Sequence, residues 1–253
     1  MKQPVTTKVK WTILSPTVRA ACADSRDVLP VECDVVVTDP PYGIAYSPGG
    51  GGGGIHRADG RKWRKTFTGA DQVLHDDEDF DPAPVLALNK PTVMWGGNHY
   101  ASRLPNQPGW LIWDKRRGTA RNDFADCEMA WTNTGRPARV LRHLWNGMLR
   151  DSERGETRLH PTQKPIHVME WCLEELDVPD GAVVLDPYMG SGSTGVACIR
   201  TGRAFVGIEK DPDVFEIALA RLRMEIAVAR GRVLGAAVGV RVMRGDRRTA
   251  VLV

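Results

Sequence analysis

The sequence predicts an α/β chain built on a mostly parallel sheet, and three stretches carry that expectation. Val35-Val36-Val37 and Val183-Val184-Leu185 are apolar runs without alternation, the pattern of strands buried on both faces. Each run soon meets an Asp-Pro step, Asp39-Pro40 and Asp186-Pro187. Proline cannot donate to a ladder, so both strands stop there. From Pro187 to Gly195 runs a glycine-rich turn, followed by a helix and a further apolar run, Phe205 to Ile208, that closes on Glu209. Strand, glycine-rich loop, helix, strand and acid in that order form a nucleoside-cofactor fingerprint, and ligands of such sheets sit at the strands' carboxyl ends.

With 253 residues, 42% hydrophobic and 26% charged, the chain is long enough for a single α/β domain spanning 1–253 with a full core. A formal net charge of +3 excludes a polycation, so a nucleic-acid surface has to come from local clusters of Arg and Lys. Cys22, Cys33, Cys127, Cys172 and Cys198 are scattered and odd in number, which reads as reduced packing residues and not as a disulfide framework or zinc site. No apolar stretch approaches a membrane span, and no signal-peptide core follows Met1-Lys2-Gln3-Pro4. A soluble, cytoplasmic protein is expected.

Taken in order, Val18 to Cys22 predicts a strand, and Asp24 just past it either hydrogen-bonds a cofactor amine or caps a short helix. The next strand, Val35 to Thr38, delivers Asp39-Pro40-Pro41-Tyr42 to the sheet's ligand-binding edge. An acidic acceptor, a carbonyl fixed between two prolines and an aromatic face suit a planar base bearing an exocyclic amine. Asp39 and the Pro40 carbonyl would accept both amine hydrogens while Tyr42 stacks on the ring; a surface turn is the plain alternative. Residues 47–70 form an insertion with the glycine run Gly49 to Gly54 and the basic set Arg57, Arg61, Lys62, Arg64 and Lys65. Six glycines cost too much chain entropy to order without a partner. The segment therefore reads either as a basic hinge that closes over a nucleic-acid strand or as a disordered insertion.

Farther on, Ala83 to Asn89 predicts a helix, and Thr92 to Trp95, Trp110 to Lys115 and Glu128 to Trp131 predict strands. His99, after Gly96-Gly97-Asn98, stands at a strand end as a hydrogen-bonded structural residue or a base. Lys115-Arg116-Arg117-Gly118 makes a second basic turn suited to phosphates. Residues 133–159 are polar and Arg-rich, anchored by Leu141, Leu144, Trp145 and Met148, and suit a short target-recognition segment. Pro165 opens a helix through Glu175. In the glycine-rich turn, Asp186 stands where a carboxylate would repel pyrophosphate but welcome an ammonium, so a methionine moiety fits better than a phosphate. No Gly-Lys-Ser/Thr follows, which excludes a P-loop.

These segments together resemble the beta-type, permuted DNA amino methyltransferases. Four segments carry the likeness: Asp39 to Tyr42, His160 to Pro165, Asp186 to Thr194 and Phe205 to Glu209, with the catalytic motif first and the cofactor loop last. The resemblance covers about residues 18 to 222. It implies a Rossmann-like fold and S-adenosyl-L-methionine as cofactor, with Asp39, Pro40 and Tyr42 catalytic. The cofactor would be met by Asp24, Asp39, Thr162, Lys164, Asp186, Tyr188, Gly190, Ser191, Gly192, Ser193 and Glu209, with Thr162 and Lys164 near its carboxylate and Glu209 on its ribose. Tyr188 stands where the family usually has Phe. Double-stranded DNA would be the partner, gripped by Arg57, Arg61, Lys62, Arg64, Lys65, Lys115, Arg116 and Arg117. The expected reaction is methylation of adenine N6 after base flipping, because Asp before Pro-Pro-Tyr is more usual for adenine and Ser for cytosine. The alternatives are N4-cytosine methylation, an RNA or protein-glutamine methyltransferase, and an inactive DNA-binding relative. A cognate restriction endonuclease and a monomeric or homodimeric state are compatible with the resemblance, and no metal is expected.

Overall fold

The computed structural model describes residues 9–43, 78–118, 125–146, 149–154 and 163–237. Along the chain run β1 (Trp11–Ser15), β2 (Val18–Cys22), α1 (Ser25–Val28), β3 (Val35–Thr38), α2 (Ala83–Leu86), β4 (Thr92–Trp95), β5 (Trp110–Asp114) and β6 (Cys127–Thr132). They are followed by β7 (Arg139–Arg142), β8 (Trp145–Asn146), β9 (Leu149–Arg150), α3 (Ile166–Glu175), β10 (Val183–Asp186), α4 (Ser193–Arg200), β11 (Ala204–Glu209) and α5 (Pro212–Ala237). Insertion 47–70 lies outside the described residues.

Nine strands form one sheet in the order β1-β2-β11-β10-β3-β4-β6-β5-β7, while β8 and β9 make a separate hairpin. The centre, β2 through β4, is parallel. Antiparallel pairing enters at β1 and at β6, so the sheet is a mixed, mostly parallel Rossmann-like one. The valine runs explain the centre. Val35 and Val37 pack with Val184, Trp95 and the helices α3, α4 and α5, whereas Val36 and Leu185 face a second cluster with Met94, Tyr100, Trp131, Val206 and Ile208. All four residues of β3 are buried. Each buried Val contributes about 1.5 to 3 kcal/mol, which fixes this strand in the middle of the sheet.

Two helix boundaries differ from expectation. The helix at Ala83 stops at Leu86 because Asn89 takes a left-handed conformation, φ 51°, ahead of Pro91 and β4. Helix α4 begins at Ser193 and not Val196, since Gly192 at φ 83° serves as its N-cap. The segment expected to read the target supplies an edge strand, β7, paired in parallel with β5, and then the β8–β9 hairpin. All five cysteines are free thiols. Among the described residues no helix is long and apolar enough to cross a membrane.

Candidate active site

From β3 the chain runs right in the sheet to β4, whereas from β10 it runs left to β11, so direction reverses between β10 and β3. At such a switch point the loops after two neighbouring strands diverge and leave a crevice at the carboxyl edge. The Asp39 turn forms one wall and the Asp186 loop the other. They are tied together across the sheet: the Thr38 hydroxyl donates to Asp186 Oδ1 at 2.7 Å.

On the first wall the Tyr42 hydroxyl donates to Asp39 Oδ1 at 2.6 Å, and its ring stacks on His99 with centroids 5.1 Å apart. Gly96, at φ 74°, makes room for that ring, because a Cβ there would lie 2.1 Å from it. His99 thus serves as a stacking partner. Lys164 enters from the segment before α3, its side chain only 5% exposed. The ammonium donates to Asp39 Oδ2 at 2.6 Å, the Tyr42 oxygen at 2.9 Å and Glu128 Oε2 at 3.1 Å, and it lies 5.3 Å from the Trp95 ring centre. Behind it, Glu128 Oε1 accepts from Lys115 at 3.1 Å.

Burial raises the Asp39 carboxyl above the usual range, with Lys164 opposing. Burial also pushes Glu128 up, but Lys164 and Lys115 outweigh it and hold this carboxyl down at about 2. For Lys164, desolvation is outweighed by Asp39 and Glu128, so the ammonium stays charged.

The second wall is built from the β10–α4 loop. Asp186, 2% exposed, accepts from Thr38, from the Thr194 hydroxyl at 2.6 Å and from the Tyr188 backbone N–H at 3.1 Å. All three donors are neutral, so burial dominates and pushes the carboxyl up to about 7. A buried carboxyl with no cationic partner among its contacts can pair with a cationic ligand. Glu209, at the end of β11, accepts from the Gly190 N–H and the Asp211 N–H, both at 2.8 Å. Ser193 donates to the Lys164 carbonyl at 2.8 Å, and Arg221 of α5 donates to the Ser191 carbonyl at 2.6 Å and its hydroxyl at 3.0 Å. Tyr188 packs edge-on against Phe80 with centroids 5.5 Å apart.

Asp24 caps α1 by accepting from the Arg26 N–H and pairs with Arg26 at 2.7 Å and Lys210 at 3.0 Å; the Arg26 contact holds its carboxyl well below the ordinary range. Capping, one of its two sequence readings, is in place. Lys164, expected beside the cofactor's carboxylate, has its ammonium on Asp39, Tyr42 and Glu128 and near the Trp95 ring. The basic turn is also redistributed. Lys115 points inward to Glu128, and Arg116, 5% exposed, pairs with Asp126 at 3.1 Å. Arg117 stays at the surface, paired with Asp151 at 3.2 Å. Thr162, Arg57, Arg61, Lys62, Arg64 and Lys65 lie outside the described residues. Glu128 and Arg221 were not anticipated as site residues. A carboxylate opening an apolar strand was a signal for Glu128; nothing local marks Arg221.

A family profile described as DNA methylase matches residues 72–220. The type II methyltransferase M2.DpnII of Streptococcus pneumoniae is 36% identical over 116 residues, 46% of this chain and 42% of that protein. M2.LlaDCHI of Lactococcus lactis subsp. cremoris is 30% identical over 113 residues, 44% of this chain and 40% of the relative. The matches thus span about two-fifths of the length of these relatives. In fold the chain is similar to the PvuII DNA methyltransferase (cytosine-N4-specific), with TM-score 0.50 and 15% identity, covering 87% of this chain and 94% of that one.

Proposed function

Since the chain belongs to the DNA methylase family, we propose that it transfers a methyl group from S-adenosyl-L-methionine to the N6 amine of adenine in duplex DNA, with the target base flipped out of the helix. The observation that carries this reading is the meeting of two carboxylate sites across the β3–β10 switch, joined by the Thr38 to Asp186 hydrogen bond of 2.7 Å. One site is made for an amine to be methylated and the other for the methionine end of the donor.

Bound S-adenosylmethionine supplies an electrophilic methyl group. The protein's own residues prepare the amine. Asp39 and the Pro40 carbonyl accept the two amine hydrogens, which pulls the nitrogen lone pair out of conjugation with the ring and aims it. Tyr42 stacks on the base, and entry of the base displaces the His99 ring from that face. Asp39, when ionised, also takes the proton that the amine sheds once its fourth bond forms. Asp186 and the Ser191 to Ser193 turn receive the donor's methionine end, and Glu209 its ribose. Arg117 is the outward cation of the Lys115 to Gly118 turn and meets phosphate. The basic set at Arg57 to Lys65 is proposed to grip the strand from which the base leaves, each phosphate contact adding about 0.9 to the salt slope.

Incubation of the protein with labelled S-adenosylmethionine and DNA, followed by digestion to nucleosides, tests this directly. N6-methyladenine is the expected product. N4-methylcytosine would keep the amine chemistry and replace the base, and label in RNA or protein alone would overturn the reading.

A further inference from the structure

The Lys164 ammonium has three hydrogens and spends all of them, on Asp39, Tyr42 and Glu128. On Asp39 Oδ2 the ammonium occupies the acceptor that a target amine needs, beside the Tyr42 hydroxyl and 5.5 Å from that ring's centre. We propose that Lys164, anchored by Glu128, is a positioning residue of the methyl-transfer site: its ammonium holds Asp39 ionised and aimed, and retires onto Glu128 when the target amine takes its position. This inference rests on the reading of Asp39 as the amine acceptor.

The charges require such a partner. Asp39 is faced by Lys164, Glu128, Tyr42 and Tyr100, with Asp186 and Cys172 nearby. Lys164 is the cation among these groups. A neutral carboxyl at Asp39 would offer a hydrogen where the amine needs an acceptor, so the ammonium has to be close, and yet it must give way. Glu128 reconciles the two demands. With Asp39, Glu128, Lys164 and Lys115 together the cluster is formally neutral, and a shift of the ammonium from Asp39 Oδ2 towards Glu128 keeps both carboxylates beside a cation and leaves no unpaired buried charge. Tying the Lys164 carbonyl to Ser193 Oγ at 2.8 Å keeps the lysine's backbone fixed to the donor-binding loop while its side chain moves.

The test is the pH profile of single-turnover methylation. Lys164→Met should move the acid limb upward by about one to three pH units, the shift a lost opposite charge produces. Glu128→Gln should not move it upward, because it removes a negative neighbour of Asp39. Lys164→Arg should restore the wild-type limb. Carbon-13 NMR titration of the Asp39 carboxyl in Lys164→Met protein reads the same shift without turnover, so an inactive variant still decides the question. An unmoved Asp39 titration, or loss of S-adenosylmethionine affinity in calorimetry with the limb unchanged, would overturn the proposal and return Lys164 to the cofactor side. Absence of any methyl transfer by the wild-type protein would instead overturn the function, leaving the titration to judge the ion pair.

Discussion

Asp39 and Asp186 are both acids at strand ends, and their surroundings give them different work. Asp39 has a cation 2.6 Å away and a side chain 19% exposed, so a ligand can reach it. Its replacement by Ala should abolish methylation while calorimetry finds S-adenosylmethionine affinity within about threefold, a shift under 1 kcal/mol. An equal loss of both would merge the two walls into one site. Asp186 has only neutral donors and is raised from 3.8 to about 7. A raised acid prefers its protonated form in the folded state, so its contribution to stability is full below pH 3.8 and is lost as pH rises through about 7. A cationic ligand reverses that preference and drives the proton off. S-adenosylmethionine binding at pH 6 should therefore release a proton, seen as a buffer-dependent heat in calorimetry, and the effect should fade by about pH 8.5. Buffer-independent heats would place the ammonium away from this carboxylate.

At the level of elements, the β10–α4 loop is held by side chains from two neighbours that follow it. Glu209, closing β11, accepts the Gly190 N–H at 2.8 Å, and Arg221, from the third turn of α5, caps Ser191 and reaches Ser193 Oγ at 3.4 Å. Charged groups in such hydrogen bonds contribute about 1.5 to 3 kcal/mol each. Glu209→Ala should thus weaken S-adenosylmethionine binding roughly ten- to hundredfold, with the rate largely recovered at saturating donor. Arg221→Met should loosen the same loop from below and lower urea stability by a similar amount, because its guanidinium is only 12% exposed. If donor affinity in Arg221→Met matched the wild type, the α5 contact would serve the helix layer alone.

Across the whole molecule, the bound donor would bridge β10, β11 and the α4 N-terminus, all in the cooperative core. At a concentration of 100 times Kd such a ligand stabilises the fold by about 2.7 kcal/mol, which raises Tm by roughly 5 to 11 °C for a domain of this size. A thermal scan with and without S-adenosylmethionine checks it. A shift near zero would mean that the chain does not bind the donor by itself.

The sequence by itself determined the sheet's centre and its reactive edge. Unalternating valine runs have one comfortable environment, a parallel sheet covered on both faces, and the prolines after Asp39 and Asp186 mark where each strand delivers its acid. Those signals are local, so β3, β4, β10 and the strand ending in Glu209 were legible to within a residue or two. Which side chains meet was not local. Lys164 lies 122 positions from Tyr42 in the chain, and Thr38 lies 148 from Asp186, so only the strand order brings each pair together. The inward turn of Lys115 and Arg116 follows the same rule. A basic triplet in a sequence reads as a surface for phosphate, but Glu128 turns Lys115 inward and Arg116 is itself buried while it pairs with the exposed Asp126, and that choice belonged to the tertiary structure because both carboxylates are placed by strand pairing and not by local sequence.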